Sequence, residues 1–166
     1  MEDDDYFDSR VNYKNLPVFK KAEEIRDMVQ RICDLLPEDN EQLQFLKHEL
    51  LGHSRMIGAK LAGAGGDTLY DIKMEAATFI RRAAHDLMIS YHSLKDYGFK
   101  EADYYLTVRE LIEEFRLLFI DWVAGFDKWN YSIDRWGLFN PPGVGPFDKD
   151  PDADIPWDNP LDEDDS

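Results

Sequence analysis

Three groups of side chains in this 166-residue chain have types and spacing that could do chemistry. Glu110, Glu113 and Glu114 recur at helical spacing, and carboxylates so placed can hold magnesium for metal-dependent hydrolysis inside a helical bundle. That chemistry needs a second acidic pair on a facing helix, so that several oxygens converge on the ion, and no helical segment downstream supplies one. His48-Glu49-Leu50-Leu51-Gly52-His53 gathers two histidines and a glutamate. Zinc-peptidase chemistry, however, needs the histidines at i and i+4. A di-iron bundle needs two Glu-x-x-His pairs, and Glu49 with His53 is one residue too wide. His53 falls on an apolar stripe and reads as a core histidine hydrogen-bonded to a neighbour. The lone Cys33 lies on the apolar flank of the first helix and reads as a small buried residue. Gly63-Ala64-Gly65-Gly66 follows a helix, not a strand, and lacks the Lys-Ser/Thr of a phosphate loop. The chain is therefore expected to have no catalytic, cofactor-binding or metal-ligating residues.

The elements that carry these residues read as four helices. The first spans about Pro17 to Leu36, with Pro17 at N1 and Val18, Ala22, Ile25, Val29, Ile32 and Leu36 on one face. Pro37 closes it. Asp39 followed by Gln42 forms the pattern of a capping box for the second, about Asn40 to Ala64. Its stripe is Leu43, Leu46, Leu50, Ile57 and Leu61, with Gly52 and Gly58 leaving room for a close neighbour. Asp67 or Thr68 is expected to cap the third helix, which runs to about Tyr97. Its stripe comprises Leu69, Ile72, Ala76, Phe79, Ile80, Ala83, Leu87 and Leu94. The short link Gly98–Lys100 returns the chain antiparallel into the fourth helix, Tyr104 to Phe126. There Tyr104, Val108, Ile112, Phe115, Phe119 and Trp122 belong to the core stripe. Leu106, Leu117 and Ile120 fall on the other side of this helix, and a second apolar strip implies a second interface, with another copy or another protein. The fold class is all-α, an antiparallel up-down four-helix bundle over residues 15–130. It is flanked by an acidic tail, 1–14, and a Pro/Asp/aromatic-rich tail, 131–166, both largely extended.

The formal charge of −16 is concentrated in those tails. The first ten residues hold five acids against Arg10, and residues 136–166 hold nine against Lys149. Within the bundle Lys20, Lys21, Arg55, Lys60, Arg81 and Arg82 are the candidate contacts to nucleic acid, although acids on the same helices outnumber the bases. In the C-terminal tail Trp136, Phe139, Phe147 and Trp157 alternate with aspartates, the pattern of aromatic anchors for the apolar pockets of a basic partner. One cysteine, no signal-peptide pattern and no stretch of roughly 20 apolar residues point to a cytoplasmic protein without a membrane span.

Several short motifs resemble one bacterial family. They are Phe45-Leu46-Lys47 with Leu50-Leu51-Gly52, then Lys60-Leu61-Ala62-Gly63-Ala64-Gly65, Leu69-Tyr70, and Leu111-Ile112-Glu113-Glu114 with Asp121-Trp122-Val123. Over roughly residues 15–128 the chain resembles the four-helix bundle proteins that include the accessory variability determinant (Avd) of diversity-generating retroelements and the ribosomal-RNA intervening-sequence proteins. The resemblance implies a homo-oligomer, a pentamer in the Avd branch, that binds a reverse transcriptase and its template RNA without catalysing a reaction itself. A reverse transcriptase is basic, so an acidic accessory would meet it by charge complementarity. Two other readings stay open at this point: a nucleic-acid-binding bundle shielded by its acidic tails, and a metal-dependent bundle hydrolase using Glu110, Glu113 and Glu114.

Overall fold

The computed structural model of the chain describes residues 12–66 and 68–155. Among them there are four long helices and no strands: α1 (Pro17–Cys33), α2 (Glu41–Gly63), α3 (Tyr70–Asp96) and α4 (Leu106–Ala124), with 3-10 turns at Asn12–Asn15 and Ala102–Tyr105. Each long helix packs on two others, α1 and α3 both lying against α2 and α4. The four helices close around one core, a bundle-like arrangement.

That core follows the 3.6-residue repeat of the sequence. Ile25, Val29 and Ile32 of α1, Leu43, Leu50 and Ile57 of α2, and Ile80, Leu87 and Leu94 of α3 are all without solvent exposure. Val108, Ile112 and Phe115 of α4 complete it. Each such side chain contributes about 1.5–3 kcal/mol by leaving water. Cys33 is also fully buried, and burial pushes its thiol up from 9.0 to about 11. It behaves as a small apolar filler.

The helix ends depart from the sequence reading in instructive ways. Asn40, not Asp39, caps α2: its Oδ1 accepts the Leu43 N–H at 3.1 Å. The other end of the same amide, Nδ2, donates to the Tyr97 carbonyl at 2.9 Å, tying the start of α2 to the end of α3. An amide can do both, whereas a carboxylate can only accept. Thr68 does not cap α3, because its hydroxyl donates back to the Gly65 carbonyl at 2.8 Å. Asp67, the other expected cap, lies outside the described residues. The first N–H of α3, that of Tyr70, instead donates across the fold to the Asn130 carbonyl at 2.8 Å. At the far end Gly98 adopts φ +89°, and the Phe99 N–H donates back to the Leu94 carbonyl at 2.9 Å. That closure turns the chain and buries Phe99.

The fourth helix begins two residues later than its sequence stripe. Ala102–Tyr105 is a 3-10 turn, in which residues advance by 120° instead of 100°. The tighter winding rotates Tyr105 fully into the core and leaves Tyr104 exposed, the reverse of the expected assignment. The Tyr105 hydroxyl donates to the Leu87 carbonyl at 2.6 Å. Neither Gly52 nor Gly58 is needed for close packing. A methyl group added at Gly52 would meet nothing within 4 Å, and one at Gly58 would make ordinary contact with the Phe19 ring at 3.8 Å.

Residues 131–155 are not an extended tail. They turn repeatedly, and Asp134 organises the first turns. One carboxylate oxygen accepts the Trp136 N–H at 2.9 Å; the other accepts those of Leu138 and Phe139, both at 2.8 Å. Asn140 locks the same loop from the other side, its Oδ1 accepting the Asp134 N–H and its Nδ2 donating to the Asp134 carbonyl. Further on, Arg135 donates to the Pro146 and Asp148 carbonyls at 3.0 and 2.8 Å. A run rich in proline and glycine has no helical periodicity, so these side-chain bonds to backbone supply the order that periodicity cannot.

Candidate interaction surfaces

Of the residues first singled out for chemistry, Glu113 and Glu114 are held in ion pairs and His53 stands near one carboxylate. Glu114 accepts from Lys21 Nζ at 2.7 Å, and Glu113 from Arg116 at 3.0 Å. His53 is half-buried, not a core residue; its Nε2 stands 4.0 Å from Asp86 at the seam of α2 and α3, while Asp86 is also paired with Arg82 at 3.2 Å. The buried polar side chain beside it is Ser54, whose hydroxyl donates to the Leu51 carbonyl. Its position, one residue on from His53, turns it inward by the 100° step of the helix. Among the described residues no cluster of three or more His, Cys, Asp or Glu side chains is arranged to hold a metal ion.

Of the six basic candidates, Lys21 and Lys60 sit at two different seams and the other four are exposed. Lys21 sits between α1 and α4, donating to both Glu24 and Glu114 at 2.7 Å. Those two carboxylates raise its pKa, Glu114 contributing most. Lys60 lies over the Phe79 ring, 4.7 Å from its centre, at the seam of α2 and α3. In the ring of four helices these two seams face opposite ways. Lys20, Arg55, Arg81 and Arg82 are exposed, and Arg82 is held by Asp86.

Apolar side chains in water form the more distinctive feature. On α4, Leu106, Leu117 and Ile120 are 38%, 59% and 51% exposed. Leu117 and Ile120 are neighbours one turn apart. Leu106 is separated from them along the same face by Glu110 and Glu113, so the apolar part of the strip is its C-terminal half.

A second surface corrects the core stripe assigned to the third helix, which had placed Ile72, Ala76 and Phe79 inside. Ile72 and Phe79 are exposed, and with Ala76 they line an open groove of about 350 Å³ whose other wall is Ala59, Lys60, Gly63 and Ala64 of α2. The apolar arc of α3 is wider than its core-facing part, and these residues occupy the flank next to α2. Periodicity identifies the arc but not which edge of it a neighbour covers.

The third surface is the C-terminal loop. Trp129, Trp136 and Phe147 are 90%, 91% and 96% exposed, with Leu138 also well exposed. Phe139 is half-buried, its N–H held by Asp134. Trp157 lies outside the described residues. The sequence signal for this loop is Asp134-Arg135-Trp136-Gly137, an Asp with Gly three residues on, and Gly137 indeed takes φ +76°. Trp129, absent from the candidates chosen on sequence, lies in a similar turn capped by Asp127, whose Oδ1 accepts the Trp129 N–H at 2.9 Å.

The loop is attached firmly to the bundle. Phe126 packs edge-on against Trp122 and Tyr70, with ring centres 4.7 and 6.5 Å apart, and Tyr131 joins the same cluster. Together with the Tyr70–Asn130 hydrogen bond, this cluster holds the exit of the loop beside the start of α3. No helix among the described residues is long and apolar enough to cross a membrane. No protein family, curated protein or solved structure matches this chain.

Proposed function

We propose that this chain is a non-catalytic, oligomeric accessory protein that works by docking onto a nucleic-acid enzyme. The observation that carries the reading is the outer strip of α4, where Leu117 and Ile120 stand more than half exposed on a helix whose opposite face is already core. Adjacent exposed aliphatics on a rigid helix suit a protein interface, since the helix loses little freedom when it binds. Ion pairing of Glu113 and Glu114 with Arg116 and Lys21 favours a structural role for those acids over metal binding. An up-down antiparallel bundle is supported by the Asn40–Tyr97 link between the start of α2 and the end of α3.

The enzyme proposed as partner is a retroelement reverse transcriptase, with its template RNA as a further ligand. This rests on the Avd-like motifs of α2 and α4 and on the acidic charge of the chain, which complements a basic polymerase. The proposed setting is the cytoplasm, where a single unpaired thiol is usual. Co-expression with a reverse transcriptase encoded beside this chain tests the reading. The complex is expected to co-purify, and Leu117→Asp with Ile120→Asp is expected to abolish it. A wild-type protein that stays unbound at micromolar concentrations would remove the proposal.

A further inference from the structure

The outer face of α2 is uncovered, and its two ends carry features that complement each other. Leu43, Leu46, Leu50, Ile57 and Leu61 of this helix turn into the core. Phe45, Gly52, Met56, Ala59 and Gly63 form the opposite face and are all exposed. Phe45 and Gly63 are about five whole turns apart, so they lie on one line of the helix, separated by roughly 27 Å. At one end of that line Phe45 holds its ring 67% exposed. At the other, Ala59 and Gly63 border the open groove of about 350 Å³ whose far wall is Ile72, Ala76 and Phe79. A methyl group added at Gly52, or at Gly63, would meet nothing within 4 Å. Glycine weakens a helix interior, and nothing in this chain's own packing requires it at position 52.

We infer that two copies of the chain pair through this face, their α2 helices antiparallel, with Phe45 of each copy entering the Ile72–Phe79 groove of the other. Ser54 marks the midpoint between Phe45 and Gly63. A two-fold axis perpendicular to α2 at that level sets each Phe45 opposite Gly63 of the second copy, and the assembly closes at a dimer. One ring suits the groove: an apolar cavity of about 150 Å³ admits benzene, and exposed Glu75 takes up one edge of the larger space. The same axis sets Gly52 against Met56 of the second copy, where the missing side chain lets the backbones approach. Charge agrees with this register. Lys60 lies on the α3 flank of the face, over Phe79, and exposed Glu49, about three turns earlier, shares that flank. Like flanks meet in an antiparallel pair, so Glu49 of each copy falls opposite Lys60 of the other. Arg55 falls on the α1 flank near the axis, with Glu23 lining the same groove between α1 and α2. A face roughly 27 Å long and 10–12 Å wide gives roughly 300 Å² of flat contact per copy, to which the rings and groove walls add. That is small beside the roughly 800 Å² per partner of stable complexes, so the pairing is expected in the micromolar range. Since α2 packs on α1 and α3, it stands diagonally across the bundle from α4. The pairing leaves the α4 strip free and does not rest on the function proposed for it.

The test uses the full chain. Light scattering at high micromolar concentration is expected to report a dimer for the wild type and a monomer for Gly52→Leu and for Phe45→Ser. Gly52→Leu separates assembly from folding. Its side chain has open space in its own chain and replaces a poor helix former, so in dilute solution the variant should melt above the wild type. Disulfides read the register. Positions 49 and 60 lie roughly 16 Å apart along one α2, too far to link within a chain. Mixed and oxidised, Glu49→Cys and Lys60→Cys are expected to give a covalent dimer on a non-reducing gel well above either variant alone; native Cys33 is buried. Leu117→Asp with Ile120→Asp should leave both the mass and the cross-link unchanged, which separates this surface from the α4 interface. A monomeric wild type, an undiminished dimer in Gly52→Leu, or a single cysteine variant that cross-links as well alone as in the mixture would each overturn the pairing.

Discussion

Replacing Tyr105 tests how the bundle core is joined to its fourth helix. The side chain is fully buried, and its hydroxyl donates to the Leu87 carbonyl on α3 at 2.6 Å. Burial also drives its pKa well above the ordinary tyrosine value, so it stays neutral and able to donate. Tyr105→Phe keeps the ring and removes the hydroxyl. No unsatisfied donor is left behind, and the Leu87 carbonyl retains the bond expected of a helix interior, so the loss is about 0.5–1.5 kcal/mol. For a chain of 166 residues this lowers Tm by roughly 1–6 °C. Tyr105→Ala also removes the ring and opens a cavity, at about 3–5 kcal/mol, a large share of a typical folding free energy. Tyr104→Ala, at an exposed position, should stay within about 0.5 kcal/mol of wild type. Urea titration followed by far-ultraviolet circular dichroism gives all three values, with an unchanged slope showing that only stability has moved. Should Tyr104→Ala cost more than Tyr105→Ala, the 3-10 turn before α4 and the core built on it would both be wrong.

Other consequences are equally direct. Asn40→Ala removes a helix cap and the link to Tyr97, and is expected to cost about 1–2 kcal/mol in the same titration, whereas Asn40→Asp should restore the cap but not the link. Cys33, its thiol raised to about 11, should resist thiol reagents at pH 8 in the folded chain and react at once in denaturant. The Asp134 carboxylate is held below its ordinary 3.8, chiefly by the Phe139 N–H and then by those of Leu138 and Trp136. A lowered folded-state value means that loop order is fully supported above the ordinary aspartate range and is lost as pH falls through the lowered value. Amide resonances of Trp136, Leu138 and Phe139 should therefore move together at acid pH, and should already be shifted at neutral pH in Asp134→Ala.

The repeat of apolar residues made the four helices and most of the core legible, because a helix in water must place its apolar residues three and four apart to bury them together. Leu43, Leu46, Leu50, Ile57 and Leu61 were recognisable as one buried face of α2 without coordinates. The exposed positions of Leu117 and Ile120 also follow from spacing, since they lie off the stripe that meets the core. What spacing could not give was any quantity that depends on a neighbour. A single 3-10 turn exchanged the fates of Tyr104 and Tyr105, because the change from 100° to 120° per residue is set by how the link packs and leaves no mark on the apolar pattern. Ile72 and Phe79 belong to a genuine apolar arc, yet only the position of α2 decides that this edge remains open. The loop held by Asp134 and Asn140 depends on side chains reaching backbone several residues away, bonds with no periodic signature. Composition and spacing thus determined that this chain would be helical, with an apolar face on α4 beyond its core. Tertiary packing decided which other apolar residues stay in water, because exposure belongs to the whole arrangement of helices and not to any one of them.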